Sequence, residues 1–171
     1  ANWDEILPIC HKYGVPVVED SAEALGSEWK GKKCGLFGDI GIFSFNGNKI
    51  ITTSGGGMVV CKDEEMRNKM LFWATQSREN ALHYEHKEVG YNYRLSNLCA
   101  GVGRGQLKII EQKISKRKEI FNNYKELVKS LPATMAPYRS ECNPNFWLSV
   151  ITLKEEIDPE NVVSQMNKKY N

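Results

Sequence analysis

Lys49 follows an apolar run that ends at Ser44, and it precedes a cluster of glycines at residues 55–57. Upstream, the apolar stretch around Val17 and Val18 ends in a second polar tip, Glu19-Asp20-Ser21-Ala22-Glu23. The two tips offer an amine and a carboxylate, each delivered near the end of an apolar strand. A lysine amine in a desolvated site attacks a carbonyl carbon and forms a Schiff base. A carboxylate beside a pyridine nitrogen keeps that nitrogen protonated, which makes the ring an electron sink. This is the pair a pyridoxal phosphate enzyme needs, with Lys49 as the amine and Asp20 as the partner of the ring nitrogen. After exchange of the imine, the same amine is the natural base for a 1,3-proton shift. Glu19 is the weaker choice beside the ring, because strand alternation points it to the opposite face. Plainer roles compete: a solvated lysine among glycines, and an aspartate that caps a turn.

The surrounding elements must position these groups. Asn2, with Glu5 three residues on, predicts a capped helix carrying Ile6, Ile9, Cys10 and Tyr13, stopped by Gly14 and Pro16. Residues 15–19 then read as a short buried strand, 26–38 as a loop, 40–45 as the next strand and 58–61 as another. Helix, glycine, strand is the rhythm of a parallel α/β sheet. Asp63 predicts a helix to about Thr75, with Met66, Met70 and Trp73 on its apolar face. Residues 76–90 are polar and without period, as in a loop. Ser96 caps a long helical stretch that ends at Leu131-Pro132; Gly101, Gly103 and Gly105 within it predict close packing, as at a subunit contact. Residues 145–153 read as a strand, and Asp158-Pro159-Glu160 opens a last helix. The change of pattern near Leu131 predicts a boundary between residues 1–131 and residues 132–171.

Three blocks carry a family resemblance: Glu19-Asp20-Ser21-Ala22-Glu23-Ala24-Leu25-Gly26, Ser44-Phe45-Asn46-Gly47-Asn48-Lys49, and Gly90-Tyr91-Asn92-Tyr93-Arg94-Leu95-Ser96. In this order and spacing they resemble the DegT-type nucleotide-sugar aminotransferases. The resemblance implies an α/β fold, part of the aspartate aminotransferase-like pyridoxal phosphate architecture. It would comprise the mainly parallel sheet of a large domain and the start of a small α+β domain. It implies pyridoxal phosphate on Lys49, with Asp20, Glu23, Ser44 and Asn92 also at the cofactor. Ser44 would donate to the phosphate, and Asn92 would reach the phosphate in a neighbouring subunit, so a homodimer with shared sites is expected. The implied substrates are a nucleotide-linked keto sugar and an amino donor, usually glutamate. Glu23 and Asn46 depart from the family, which often has Gln or His at the first place and His at the second; a carboxylate at position 23 is expected to be protonated or turned away. The run Ser54-Gly55-Gly56-Gly57 also lacks a common Glu and reads as a turn. Two other readings stand beside this one. A family dehydratase replaces the lysine by His, against which Lys49 argues. A non-catalytic scaffold of the same fold would not need Lys49, Asp20 and Ser44 together.

Composition bounds the rest. The chain has 171 residues, enough for one domain core, and a formal net charge of +2, too small to argue for nucleic acid or a membrane surface. No stretch approaches the ~18 apolar residues of a membrane span, and no signal-peptide pattern opens it. The five cysteines are scattered outside any Cys-x-x-Cys pair, which predicts free thiols in the cytoplasm. His83 and His86 form a His-x-x-His spacing without further ligands, so a surface loop is expected and no metal. Both ends read as cut, and the chain is expected to be an internal piece of a longer enzyme.

Overall fold

The structure is a computed structural model that describes residues 1–170. Helix α1 (Trp3–Lys12) leads into strand β1 (Val18–Asp20). A hairpin of β2 (Glu28–Trp29) and β3 (Lys32–Lys33) follows, then β4 (Ile40–Ser44) and β5 (Gly57–Cys61). Helices α2 (Glu64–Ala74), α3 (Asn97–Leu107) and α4 (Ile110–Leu127) occupy the middle of the chain. Short strands β6 (Ala133–Met135), β7 (Cys142–Asn143) and β8 (Ile151–Leu153) precede α5 (Pro159–Tyr170). The architecture is mixed α/β, as expected.

The sheet that matters for the site has the order β1-β4-β5. β1 and β4 run parallel, with Asp20 opposite Ile42. β5 runs antiparallel to β4, with Ser44 opposite Gly57, because residues 45–56 turn the chain straight back without a crossover helix. Period-2 alternation then sorts the side chains. Glu19, Gly41 and Phe43 are buried on one face, whereas Val18, Asp20 and Ile42 stand exposed on the other. Phe43, Phe45 and Ile51 form the core under the covered face, with Leu25, Val60 and Ile110 packed against them. A second sheet, β3-β2-β7, ties the later part of the chain to the earlier, since Trp29 of β2 pairs with Cys142 of β7.

Several elements differ from the sequence expectations, each for a local reason. The Asn2 side chain makes no capping bond; the Asn2 backbone carbonyl accepts from Glu5 and Ile6 N–H instead. The first ladder starts at Val18 because Pro16 has no N–H to give and the Val17 N–H goes to Asp39 Oδ2 at 2.7 Å. The loop at 26–38 contains the β2–β3 hairpin, whose two-residue turn places Lys30 and Gly31 at φ 49° and 78°. Both central residues must be left-handed to match the strand twist, and Gly31 meets that without cost. The long helix breaks at Ile109, which leaves the helical region at ψ 15°. The strand expected over 145–153 survives only as β8, because residues 145–147 leave extended geometry: Phe146 has φ 52°. The helix capped by Asp63 forms as expected, with its carboxylate accepting from Met66 N–H at 2.6 Å.

Candidate functional site

The carboxyl ends of the parallel strands β1 and β4 bring Asp20 and Ser44 to the same edge. Ligands of open α/β sheets bind outside such ends. Asp20 accepts the Ala22 N–H through one oxygen at 3.1 Å, a tight turn that leads the chain away from the edge toward Glu23. Ser44 Oγ accepts the Asn46 N–H at 3.3 Å, and it opens the turn that carries Lys49. Lys49 itself sits in that turn and not at a strand end, with its N–H bonded to Asn46 O at 3.1 Å. Beyond it, Gln106 of α3 brackets Thr52: its Oε1 accepts the Thr52 N–H at 3.2 Å and its Nε2 donates to the Thr52 carbonyl. The lysine-bearing turn is therefore held at both ends.

The Lys49 side chain is 14% exposed, and Nζ lies 3.0 Å from Glu23 Oε1. Glu23 thus corrects the expectation that its carboxylate turns away: it is the ion-pair partner of the amine. The ring of Trp147 lies under the same ammonium, 4.4 Å from Nζ to the centroid. The indole N–H donates to Asn48 O at 2.6 Å. Asn145, 5% exposed, fixes this arm. Its amide donates to the carbonyls of Glu23 (2.8 Å) and Leu25 (3.1 Å), and its Oδ1 accepts the Trp147 N–H at 3.0 Å. Neither Asn145 nor Trp147 stood out in the sequence, where they fell inside an expected strand.

Glu19 has a different task. It is buried at 4% and accepts from Ser21 Oγ (3.0 Å), Gly35 N–H (2.5 Å) and Phe37 N–H (3.0 Å). Three donors satisfy a carboxylate that would otherwise be costly to bury. Beside it, burial pushes the Cys34 thiol above its ordinary value and the Glu19 charge adds to the effect, so this cysteine is no ready nucleophile. Asn92 is exposed and bridges Thr75, and it lines a cavity with residues 53–57 and 93–96 that contains neither Lys49 nor Asp20. Through Gly57, the β5 partner of Ser44, that cavity adjoins the strand edge. His86 Nδ1 is bonded to Gln76 O at 2.9 Å and His83 lies 3.9 Å from Glu85, so the two imidazoles serve separate loop contacts. No helix among the described residues is long and apolar enough to cross a membrane.

The donor set fits pyridoxal phosphate. A carboxylate and a hydroxyl share one strand edge, and exposed Val18, Ile42 and Val59 lie on or beside the open face of the sheet, where a flat ring would need an apolar floor. A shielded primary amine stands next to the turn that follows the carboxylate.

A family model described as the DegT/DnrJ/EryC1/StrS aminotransferase family matches residues 1–170. EpsN of Bacillus subtilis (strain 168), provisionally named a pyridoxal phosphate-dependent aminotransferase, is 49% identical over 168 residues, which cover 97% of this chain and 43% of EpsN. GDP-perosamine synthase of Escherichia coli O157:H7 is 38% identical over 155 residues, 91% of this chain and 43% of that protein. Among solved structures, Helicobacter pylori PseC, an aminotransferase involved in the biosynthesis of pseudoaminic acid, superposes with a TM-score of 0.88 at 27% identity. The match covers 99% of this chain and 47% of PseC. The chain spans less than half the length of each of these proteins.

Proposed function

The chain belongs to the DegT/DnrJ/EryC1/StrS aminotransferase family, and on that premise we propose that the full-length protein is a pyridoxal phosphate-dependent aminotransferase acting on a nucleotide-linked keto sugar. The observation that carries the reading is the shielded Lys49 amine, 3.0 Å from Glu23, on the turn that leaves the Asp20–Ser44 edge. The name of the GDP-linked relative and the pathway in which PseC acts support the substrate class. Glutamate is our assignment for the amino donor. The setting we assign is the cytoplasmic synthesis of bacterial polysaccharide or glycoconjugate.

When bound, pyridoxal phosphate supplies an aldehyde and an electron sink for moving an amino group. The chain's own residues supply the rest. Lys49 provides the attacking amine and afterwards a base of the right reach for proton transfer. The free oxygen of Asp20 holds the proton on the ring nitrogen. Ser44 Oγ donates to the phosphate. Glu23 pairs with the Lys49 ammonium, a solvent-open contact that must break before the amine attacks. Residues 1–131 form the later portion of the large domain with its connecting helices, and residues 132–171 begin the small domain. Asn92 serves a neighbouring subunit's phosphate in a homodimer; sedimentation of the full-length protein as a monomer would remove this assignment.

The test is reduction of the full-length protein with borohydride in the presence of pyridoxal phosphate, followed by peptide mapping. The label should fall on Lys49, and Lys49→Ala should lower turnover by at least ~10²–10⁴-fold, the span of one acid–base group. A label on Lys33 or Lys62, or no label, would remove the reading in favour of a scaffold.

A further inference from the structure

Trp147 reaches the candidate site from a distant part of the chain and makes two contacts there. Its ring lies under Lys49 Nζ at 4.4 Å, and its N–H donates to Asn48 O at 2.6 Å, the residue before the lysine. A lysine stem has many rotamers, and its amine has a defined position only if something fixed holds the end. Glu23 is a poor wall, because its side chain is 61% exposed and the pair is open to solvent screening. Trp147 is the better one, since it is itself anchored. Asn145 accepts the Trp147 backbone N–H through its Oδ1 and donates its amide to two carbonyls of the turn that bears Glu23. Between them Phe146 is held at φ 52°, a left-handed conformation that a bulky residue adopts only when its surroundings impose it. The Asn145 bond to the Trp147 backbone N–H closes the turn around it, and Phe121 and Tyr138 pack on the buried Phe146 ring at 4.9 and 5.6 Å. The bend aims the next residue back at the lysine turn.

We propose that Trp147 is a positioning residue for Lys49: its ring face holds the amine in the orientation from which it captures the cofactor aldehyde. This rests on the reading of Lys49 as the cofactor amine. It also links the later part of the chain, from β7 onward, to the reactive group of the earlier part. The cation–π attraction itself acts on the ammonium; what the ring offers the neutral, nucleophilic amine is a fixed wall that restricts the rotamers of the lysine stem.

The readout is the rate at which borohydride fixes pyridoxal phosphate on Lys49 in the full-length protein, measured by peptide mapping at saturating cofactor, together with the melting temperature. Trp147→Phe keeps a ring face and loses the N–H. Trp147→Leu keeps apolar bulk and loses both. The labelling rate should stay within about threefold of wild type in the Phe variant and fall about tenfold in the Leu variant, whose lysine stem regains rotamers that point the amine elsewhere. The two variants should melt at similar temperatures, so that the difference between them reports orientation and not folding. Equal rates in all three proteins, or an equal fall in both variants, would overturn the proposal. A wild type that takes no label on Lys49 defeats the cofactor reading itself, a result distinct from either of those.

Discussion

At the residue level, the Lys49 amine is held by two groups of different character, a carboxylate and a ring. The Glu23 pair is short at 3.0 Å but more than half exposed on the carboxylate side. Exposed pairs contribute ~0.2–1 kcal/mol and weaken with salt. If Glu23 restrains the amine, breaking the pair precedes capture of an aldehyde. Glu23→Gln should then speed cofactor capture by less than about fivefold, the rate equivalent of that energy. Added salt should quicken wild type relative to the variant until the two converge. Stopped-flow absorbance of the full-length proteins measures both. A variant slower than wild type would mean that Glu23 orients the amine and does not merely restrain it. Lys49, Asp20 and Ser44 could be proposed from the sequence because their types and spacing suit one chemistry. Trp147 could not, because its partner Asn48 lies 99 positions away and no local pattern announces such a contact.

Among the elements, β4 is the one on which the site most depends, and it is packed without slack. A Cβ on Gly41 would sit 2.0 Å from the Gly35 carbonyl oxygen, a backbone atom in the loop that Glu19 pins. Gly41→Ala should therefore cost ~1–3 kcal/mol or more by overpacking. Gly47→Ala, whose Cβ would meet nothing within 4 Å, should stay within ~0.5 kcal/mol. Urea unfolding of both variants in the full-length protein checks the contrast, and similar stabilities would show that the Gly35 loop yields. Elements marked by their own chemistry were legible: Asp63 caps α2, and Asp158-Pro159 opens α5. The β2–β3 hairpin was not, since Lys30-Gly31 is a weak turn signal and each strand has two residues. Residues 145–147 read as strand in the sequence, but they bend where Asn145 Oδ1 accepts the Trp147 backbone N–H and Phe146 packs against the distant Phe121 and Tyr138.

For the molecule as a whole, the helices are unusually bare. Among the described residues, α1, α2, α3 and α5 bury no side chain, and α4 buries only Phe121. Large apolar groups stand open along them, among them Ile9 on α1 and Leu98 on α3, the latter 85% exposed. Monomeric proteins rarely leave such surface uncovered. The match covers only 43% of EpsN, so relatives have ample chain with which to cover it. Residues 1–171 produced alone should consequently self-associate or precipitate. They should also turn over a keto sugar weakly or not at all with cofactor added. Asp20, Ser44 and Lys49 would be present, but a cofactor ring and phosphate need more partners than these. Each missing charge-assisted hydrogen bond removes ~1.5–3 kcal/mol, so losing several lowers cofactor affinity by orders of magnitude. Sedimentation and an amination assay on residues 1–171 decide the matter. A soluble monomer with the turnover of the full-length protein would mean that these open faces need no cover and that the site is complete within this chain.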